Sequence, residues 1–395
     1  MSNIPYFELF NWIELQKGNT SVLLAGSATP GLSIKELIQI SSDAQTTAKN
    51  LSLENVQLSL APARGGAALR QQIAGLYEGG ISADHVLAAN GTTGANALAI
   101  QSLLQPGDHV IAMYPMYMQP LSILAATSGV EVSHWSLDPS NPSKPDLGAL
   151  KSLIKPTTKM IIINNPNNPM GISLTREVQS EIVALARQHD VILLVDEIFR
   201  PLSHDSAASS PLSFLELQDS YDKVVVTGSL SKAWGMSGVR VGWIVTRDAD
   251  IQTQCFRYWP YTVMALSAID EIIAAEALSE RCRPQITAKH LELANANLYL
   301  LESFVAKHQD FCSWTRPNAG ATAFVRFRIN GEFVDDVDFC VKLNREKGVL
   351  LAPGSKCFGL KGSDDFKGFV RMHITGSPDT MKKGLSAISE FLSGC

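Results

Sequence analysis

The sequence predicts an α/β protein in which a large domain, with a mostly parallel sheet between helices, is joined to a smaller α+β domain. Three observations carry that expectation. Between about residues 90 and 250, short apolar runs of strand length alternate with stretches whose apolar residues recur at helical spacing. Each short run is β-branched or apolar throughout, as expected of strands buried on both faces. The last hundred residues lose this alternation and show half-buried strands instead.

In chain order, a first helix is expected from near Gly94, with Ala97, Ile100 and Leu104 on one face, ending before Pro106-Gly107-Asp108. Strands are expected at 109–112, 160–163, 191–195, 223–227 and 241–245. Between the second and third, Val178, Ile182, Leu185 and Ala186 mark a helix over 176–189, with Thr175 as its N-cap. The Ser/Ala-rich stretch 203–213 reads as one surface loop. Residues 322–329 and 369–374 read as strands of the small domain. A last helix opens at Ser377-Pro378 and turns Met381, Leu385, Ile388 and Leu392 to a core. The domain division that follows is 1–45 as an N-terminal segment contributing to the small domain, 46–285 as the large domain and 286–395 as the small one.

The 45% hydrophobic and 18% charged residues exclude a disordered or collagen-like chain. A net charge of −5, from 33 basic and 38 acidic residues, argues against a general nucleic-acid binder. The apolar runs are far too short to span a bilayer. No basic segment followed by an apolar one opens the chain, so no secretory signal is expected. The six cysteines, at 255, 282, 312, 340, 357 and 395, form no C-x-x-C pair. They read as scattered reduced thiols rather than a metal site or a disulfide framework, which favours the cytoplasm.

The most informative stretch is Ser229-Leu230-Ser231-Lys232, followed by Arg240-Val241-Gly242-Trp243. A lysine just after a strand, among hydroxyls and with an arginine nearby, is placed to form a Schiff base beside a bound phosphate, because burial and positive neighbours keep its amine neutral. Taken alone, the serine–lysine pattern equally describes a solvated loop. The run from Asn164 to Gly171 follows another apolar strand, at the sheet edge where ligands gather, and by itself also reads as a plain turn. Asp196 ends a third strand, where a carboxylate either caps a helix or holds a pyridine nitrogen protonated. Gly91-Thr92-Thr93 opens a helix, a turn whose backbone amides suit an anion.

Together these motifs resemble the aspartate-aminotransferase superfamily, the fold-type I pyridoxal-phosphate (PLP) enzymes of aminotransferase class I/II, over about residues 25 to 392. The resemblance implies pyridoxal 5′-phosphate as cofactor and Lys232 as the Schiff-base lysine that also moves the proton at the substrate Cα. It implies Asp196 on the pyridine nitrogen, Asn168 on the phenolic oxygen, and Gly91, Thr92, Thr93, Ser229, Ser231 and Arg240 around the phosphate. Tyr117 occupies the position of the ring that stacks on the cofactor, Arg371 that of the grip on the substrate α-carboxylate, and Gly26 lies near the loop over the substrate. The arginine fork suits a carboxylate bidentately; the bland reading of Arg371 is a structural ion-pair partner. A homodimer and a small amino-acid substrate are further implications.

Departures qualify the reaction type. Phe199 stands where most relatives have a tyrosine bonding the same phenolic oxygen. Leu60-Ala61-Pro62 replaces a tyrosine that reaches the partner's phosphate, with Arg64 as a candidate substitute. Met170 replaces a commoner threonine. Arg200 reads either as a binder of a distal substrate carboxylate or as a surface charge, and Trp12, Tyr261 and Arg316 are further substrate-side candidates. Transamination is the first expectation. Elimination of a β or γ substituent, or cyclisation, is the alternative, since 91–96 and 197–200 resemble the capreomycidine-synthase-like branch. A non-catalytic PLP-fold regulator needs a DNA-binding domain for which residues 1–45 leave little room. A nicotinamide dehydrogenase needs a G-x-G-x-x-G after the first strand, which is absent.

Overall fold

The computed structural model describes residues 4–204, 211–217 and 221–394. Its centre is a seven-stranded sheet made by β1 (Val86–Asn90), β2 (His109–Tyr114), β3 (Glu131–Ser136), β4 (Thr158–Asn164), β5 (Ile192–Asp196), β6 (Val224–Ser229) and β7 (Val241–Val245). The spatial order is β1-β7-β6-β5-β4-β2-β3. All neighbours are parallel except those of β7, which runs against both β1 and β6. The expected strands are present, each within a few residues of its expected bounds. β1 and β3 were not expected: β1 is mostly alanine in its middle, and β3 lies at the edge of the sheet with most of its residues at least partly exposed.

The helix after β1 spans Gly91–Leu103, starting three residues earlier than expected. It is buried on more than one face: Ala95, Asn96, Leu98, Ala99, Ile100 and Leu103 are covered, whereas Ala97 and Leu104 are only half-buried. The expected face is thus only part of what the helix buries: Ile100 is enclosed and Leu104 packs against the core, but the covered surface extends well beyond that stripe. Arg176–Gln188 matches expectation, with the Thr175 hydroxyl accepting from Val178 N at 3.4 Å. Its polar Gln179 is buried because the amide donates to Leu174 O at 3.0 Å.

The smaller sheet pairs Thr322–Ile329 with Phe369–His373 in antiparallel register, bringing Phe324 opposite Arg371. Near the N-terminus, Val22–Leu23 pairs in parallel with Val349–Leu350, and His373 N donates to Leu24 O at 2.8 Å. The chain's beginning is thereby stitched to its last quarter. Pro378–Leu392 buries Met381, Leu385, Ile388 and Leu392 as its spacing demands. The 25-residue helix Arg283–Lys307 crosses the expected boundary at 285/286.

The stretch 203–213 is not a simple surface loop. His204 and Ser213 are buried, and Ser213 Oγ donates to the Glu197 carboxylate at 2.9 Å; 205–210 lie outside the described residues. Cys255, Cys282, Cys312, Cys340 and Cys357 are free and buried, and Cys395 lies outside the described residues. No helix among the described residues is long and apolar enough to cross a membrane.

Candidate active site

The parallel strands bring their C-terminal ends to one edge of the sheet, where an α/β fold gathers ligand-binding residues. Asn164 ends β4, Asp196 ends β5, Ser229 ends β6, and Gly91 follows β1. Because β7 is reversed, Arg240, which precedes it, reaches the same edge. A cavity of about 450 Å³ opens there, lined by Thr92, Thr93, Tyr117, Asn168, Asp196, Phe199, Ser231, Lys232 and Arg240 among others. Larger cavities exist, one of about 550 Å³ between Leu60 and Glu271, but none of their linings holds this set of groups.

At the floor, the Asp196 carboxylate is buried and accepts from Asn96 Nδ2 at 3.0 Å and from Ile198 N at 3.1 Å. Burial outweighs those bonds and raises its pKa from 3.8 to about 6. Asn96 is fixed in turn, its Oδ1 accepting from the Thr227 hydroxyl at 2.6 Å. Lys232 Nζ donates to Ser27 Oγ at 3.1 Å. Burial, then the charges of Arg371 and Arg240, lower its pKa to about 8 against the pull of Asp196, so about a tenth of the amine is neutral near pH 7.

The asparagine run is a network rather than a bare turn. Asn164 Oδ1 accepts from Asn168 N at 2.8 Å, and Asn167 Nδ2 donates to Pro115 O at 3.0 Å. Asn168 Oδ1 accepts from Arg371 Nη1 at 3.0 Å. Arg371 is fully enclosed: it also donates to Gly26 O at 3.2 Å and to Ala25 O, and its guanidinium lies 5.2 Å from the Phe358 ring. Burial draws its pKa down to about 10, which still leaves a cation at neutral pH. Its Nε is buried without a partner.

At the opposite end, Arg240 is exposed and donates to Ser231 Oγ at 3.1 Å and to Ser237 O at 2.9 Å. Gly91 has φ +67, and a Cβ there would meet the Arg240 guanidinium at 2.5 Å, so only glycine lets the arginine cover the helix start. Ser229 sits deeper than Ser231. Its Oγ accepts from Ser231 N at 3.2 Å, and it borders a neighbouring cavity shared with Glu197 and Trp243.

Several candidates lie elsewhere. Arg200 does not line this cavity and is not a free surface charge: it pairs with Glu216 at 2.5 Å and donates to Leu76 O and Pro211 O. Arg64 is engaged within its own chain, donating to Asp84 O at 3.0 Å and to Gln252. Trp12 is buried with its indole N–H on Leu351 O, Tyr261 is exposed and Arg316 faces Glu302 at 3.5 Å; none of the three lines the cavity. Sequence reasoning missed Ser27, Phe10 and Asn96. Asn96 carried a usable signal, an amide among apolar residues on a buried helix; Ser27 and Phe10 reach the cavity only through the stitching of the N-terminus.

The sequence profile of aminotransferase class I and II matches residues 33–388. The chain belongs to that family. As an aminotransferase-type enzyme it is 30% identical over 340 residues to the capreomycidine synthase of Streptomyces vinaceus, covering 86% of this chain and 82% of that one. It is 28% identical over 326 residues to the aspartate aminotransferase of Thermotoga maritima, covering 82% and 80%. A PLP-dependent aminotransferase from Streptococcus suis superposes with a TM-score of 0.89 at 31% identity, over 99% of this chain and 98% of that one.

Proposed function

We propose that this chain binds pyridoxal 5′-phosphate in the cavity at the sheet edge and transaminates a small α-amino acid. The observation that carries the reading is the convergence on one cavity of a partly neutral lysine, a buried carboxylate and a helix N-terminus beside an arginine. The residues fit the cofactor. Thr92 Oγ1 is buried without a partner at the start of the helix, Gly91 leaves room for Arg240 above it, and these donors suit a phosphate. Asp196 suits a pyridine nitrogen that carries a proton, and Phe199 and Tyr117 supply ring surfaces.

Bound, the cofactor supplies a carbonyl that condenses with amines and a ring that accepts the electrons left when Cα loses its proton. The neutral Lys232 amine removes that proton and returns it. Asp196, oriented by Asn96, keeps a positive partner on the ring nitrogen. With its Oδ1 accepting from Arg371, Asn168 would have its amide Nδ2 to donate to the phenolic oxygen. Arg371 exchanges backbone carbonyls for the substrate α-carboxylate. Thr92, Thr93, Ser231 and Arg240 hold the phosphate, with Gly91 shaping the turn and Ser229 supporting Ser231 from below.

The same reading makes the enzyme a homodimer of the cytoplasm, built as segment 1–45, large domain 46–285 and small domain 286–395. Its support for self-association is an exposed apolar rim: Leu58 and Leu60 border one groove with Met264, all three largely exposed. Incubation with PLP tests the main reading. A visible absorbance band that borohydride abolishes and Lys232→Ala lacks supports it; no bound chromophore in the wild type overturns it.

Elimination or cyclisation is the second reading, favoured by the capreomycidine synthase relative and by Phe199, which offers no hydroxyl to the phenolic oxygen. Stoichiometric oxo acid with pyridoxamine phosphate marks transamination. Ammonia, a leaving group or a cyclic amino acid with PLP regenerated marks the alternative.

A further inference from the structure

We propose that Ser27 is a positioning residue for Lys232, its hydroxyl holding the lysine amine in the orientation from which it exchanges a proton with the substrate. The inference deepens the proposed function and rests on it for the proton exchange, while the contact with the amine is also tested on the cofactor-free chain.

The geometry is a clamp on both ends of one residue. Ser27 Oγ accepts from Lys232 Nζ at 3.1 Å, while two residues on, Thr29 Oγ1 donates to Lys232 O at 2.6 Å. One strap of chain thus holds the lysine by its amine and by its backbone. The strap is itself pinned. Leu24 O accepts from His373 N and Thr29 is buried with its Oγ1 3.5 Å from Thr375 Oγ1, anchors that do not depend on Arg371. The backbone on either side of Ser27 is held, and its hydroxyl offers the amine of a flexible four-carbon side chain an acceptor at a set place.

The choice of a neutral acceptor matters. A carboxylate at this position would trap the ammonium form, whereas a hydroxyl orients the amine with a small bias. The charged and titratable groups acting on Lys232 are Asp196 from β5, Arg240 from the loop before β7, and Arg371 and His373 from the smaller sheet. His373 is held neutral by burial, so the two arginines oppose Asp196 and Ser27 adds a directional contact.

Removing the Ser27 oxygen takes away an acceptor that favours the ammonium, so the amine should become neutral at lower pH while losing its orientation. The test follows Lys232 in the cofactor-free protein by its rate of modification with trinitrobenzenesulfonate across pH, read from the Lys232 peptide by mass spectrometry. Ser27→Ala is expected to move the midpoint down by about half a pH unit, roughly threefold more reactive amine near neutrality, and Ser27→Thr to keep the wild-type midpoint. In the holoenzyme, Ser27→Ala should lower kcat about tenfold with KM within about twofold, and Ser27→Thr should recover most of the loss. An unchanged midpoint in Ser27→Ala, a loss confined to KM, or identical behaviour of the alanine and threonine variants overturns the proposal. A wild type that takes up no PLP defeats the functional reading instead, and the midpoint comparison on the cofactor-free chain still decides the role of Ser27.

Discussion

The two ends of the cavity are built by different means. The floor and the end beside Arg240 come from segments that leave the edge of a single sheet: Gly91-Thr92-Thr93, Asn164 to Asn168, Asp196 and the loop from Ser229 to Arg240. The other end is assembled from the extremes of the chain: Phe10 and Ser27 line it, and Arg371 bonds the carbonyls of Ala25 and Gly26 across more than 300 residues. One end inherits its geometry from backbone hydrogen bonding within the sheet. The other depends on docking of the N-terminal strap. The difference separates a part built on one sheet from a part that exists only once the two ends of the chain have met.

The sharpest way to break this division is Lys232→Ala, which should reduce turnover by about a thousandfold or more while the protein still binds PLP without a Schiff base. Steady-state kinetics and the absorbance spectrum check both halves. Next, Arg371→Ala should raise KM by about a hundredfold, since a buried carboxylate contact is lost, yet leave the Lys232 absorbance band in place; Arg371→Lys should fall between. A large fall in kcat without change in KM would place Arg371 with the chemistry instead.

On the floor, Asn96→Ala should lower kcat several-fold, because Asp196 loses a donor that favours its charged form. The companion Thr227→Val should show a smaller effect of the same sign. The smallest expected effect concerns pH. The buried Asp196 titrates at about 6 rather than 3.8, so in the cofactor-free protein the folded state binds more protons than the unfolded state between those values. Stability should therefore fall as pH rises through that window, and Asp196→Asn should flatten the fall in thermal melts. Glu197, raised by burial to about 7, contributes in the same direction and extends the decline upward.

The floor was legible because its residues lie in short motifs adjoining apolar strands, and a strand buried on both faces announces itself. β3 did not, since an edge strand with exposed residues carries no continuous apolar run. Asn96 was passed over because helix periodicity weighs apolar faces, and its value lies in the carboxylate it holds. Ser27 and Phe10 were out of reach for a different reason. Nothing in their neighbours marks them; the pairing of Val22–Leu23 with Val349–Leu350 brings Ser27 near, and Phe10 rides on the helix Glu8–Gln16, whose Trp12 bonds Leu351 O. Arg200 was misjudged because its partner, Glu216, comes near only through the loop that also buries Ser213.

The reversed strand β7 has one more consequence. The chain leaves the sheet after Ser229, passes through Lys232, and re-enters at Val241 directly after Arg240, with Ser229 and Gly242 facing each other in the ladder. Lys232 and Arg240 thus ride on one tether fastened at both ends. Lengthening that tether by a single residue would displace both together, so an insertion there should be tolerated far less than one of equal size in a loop carrying either group alone.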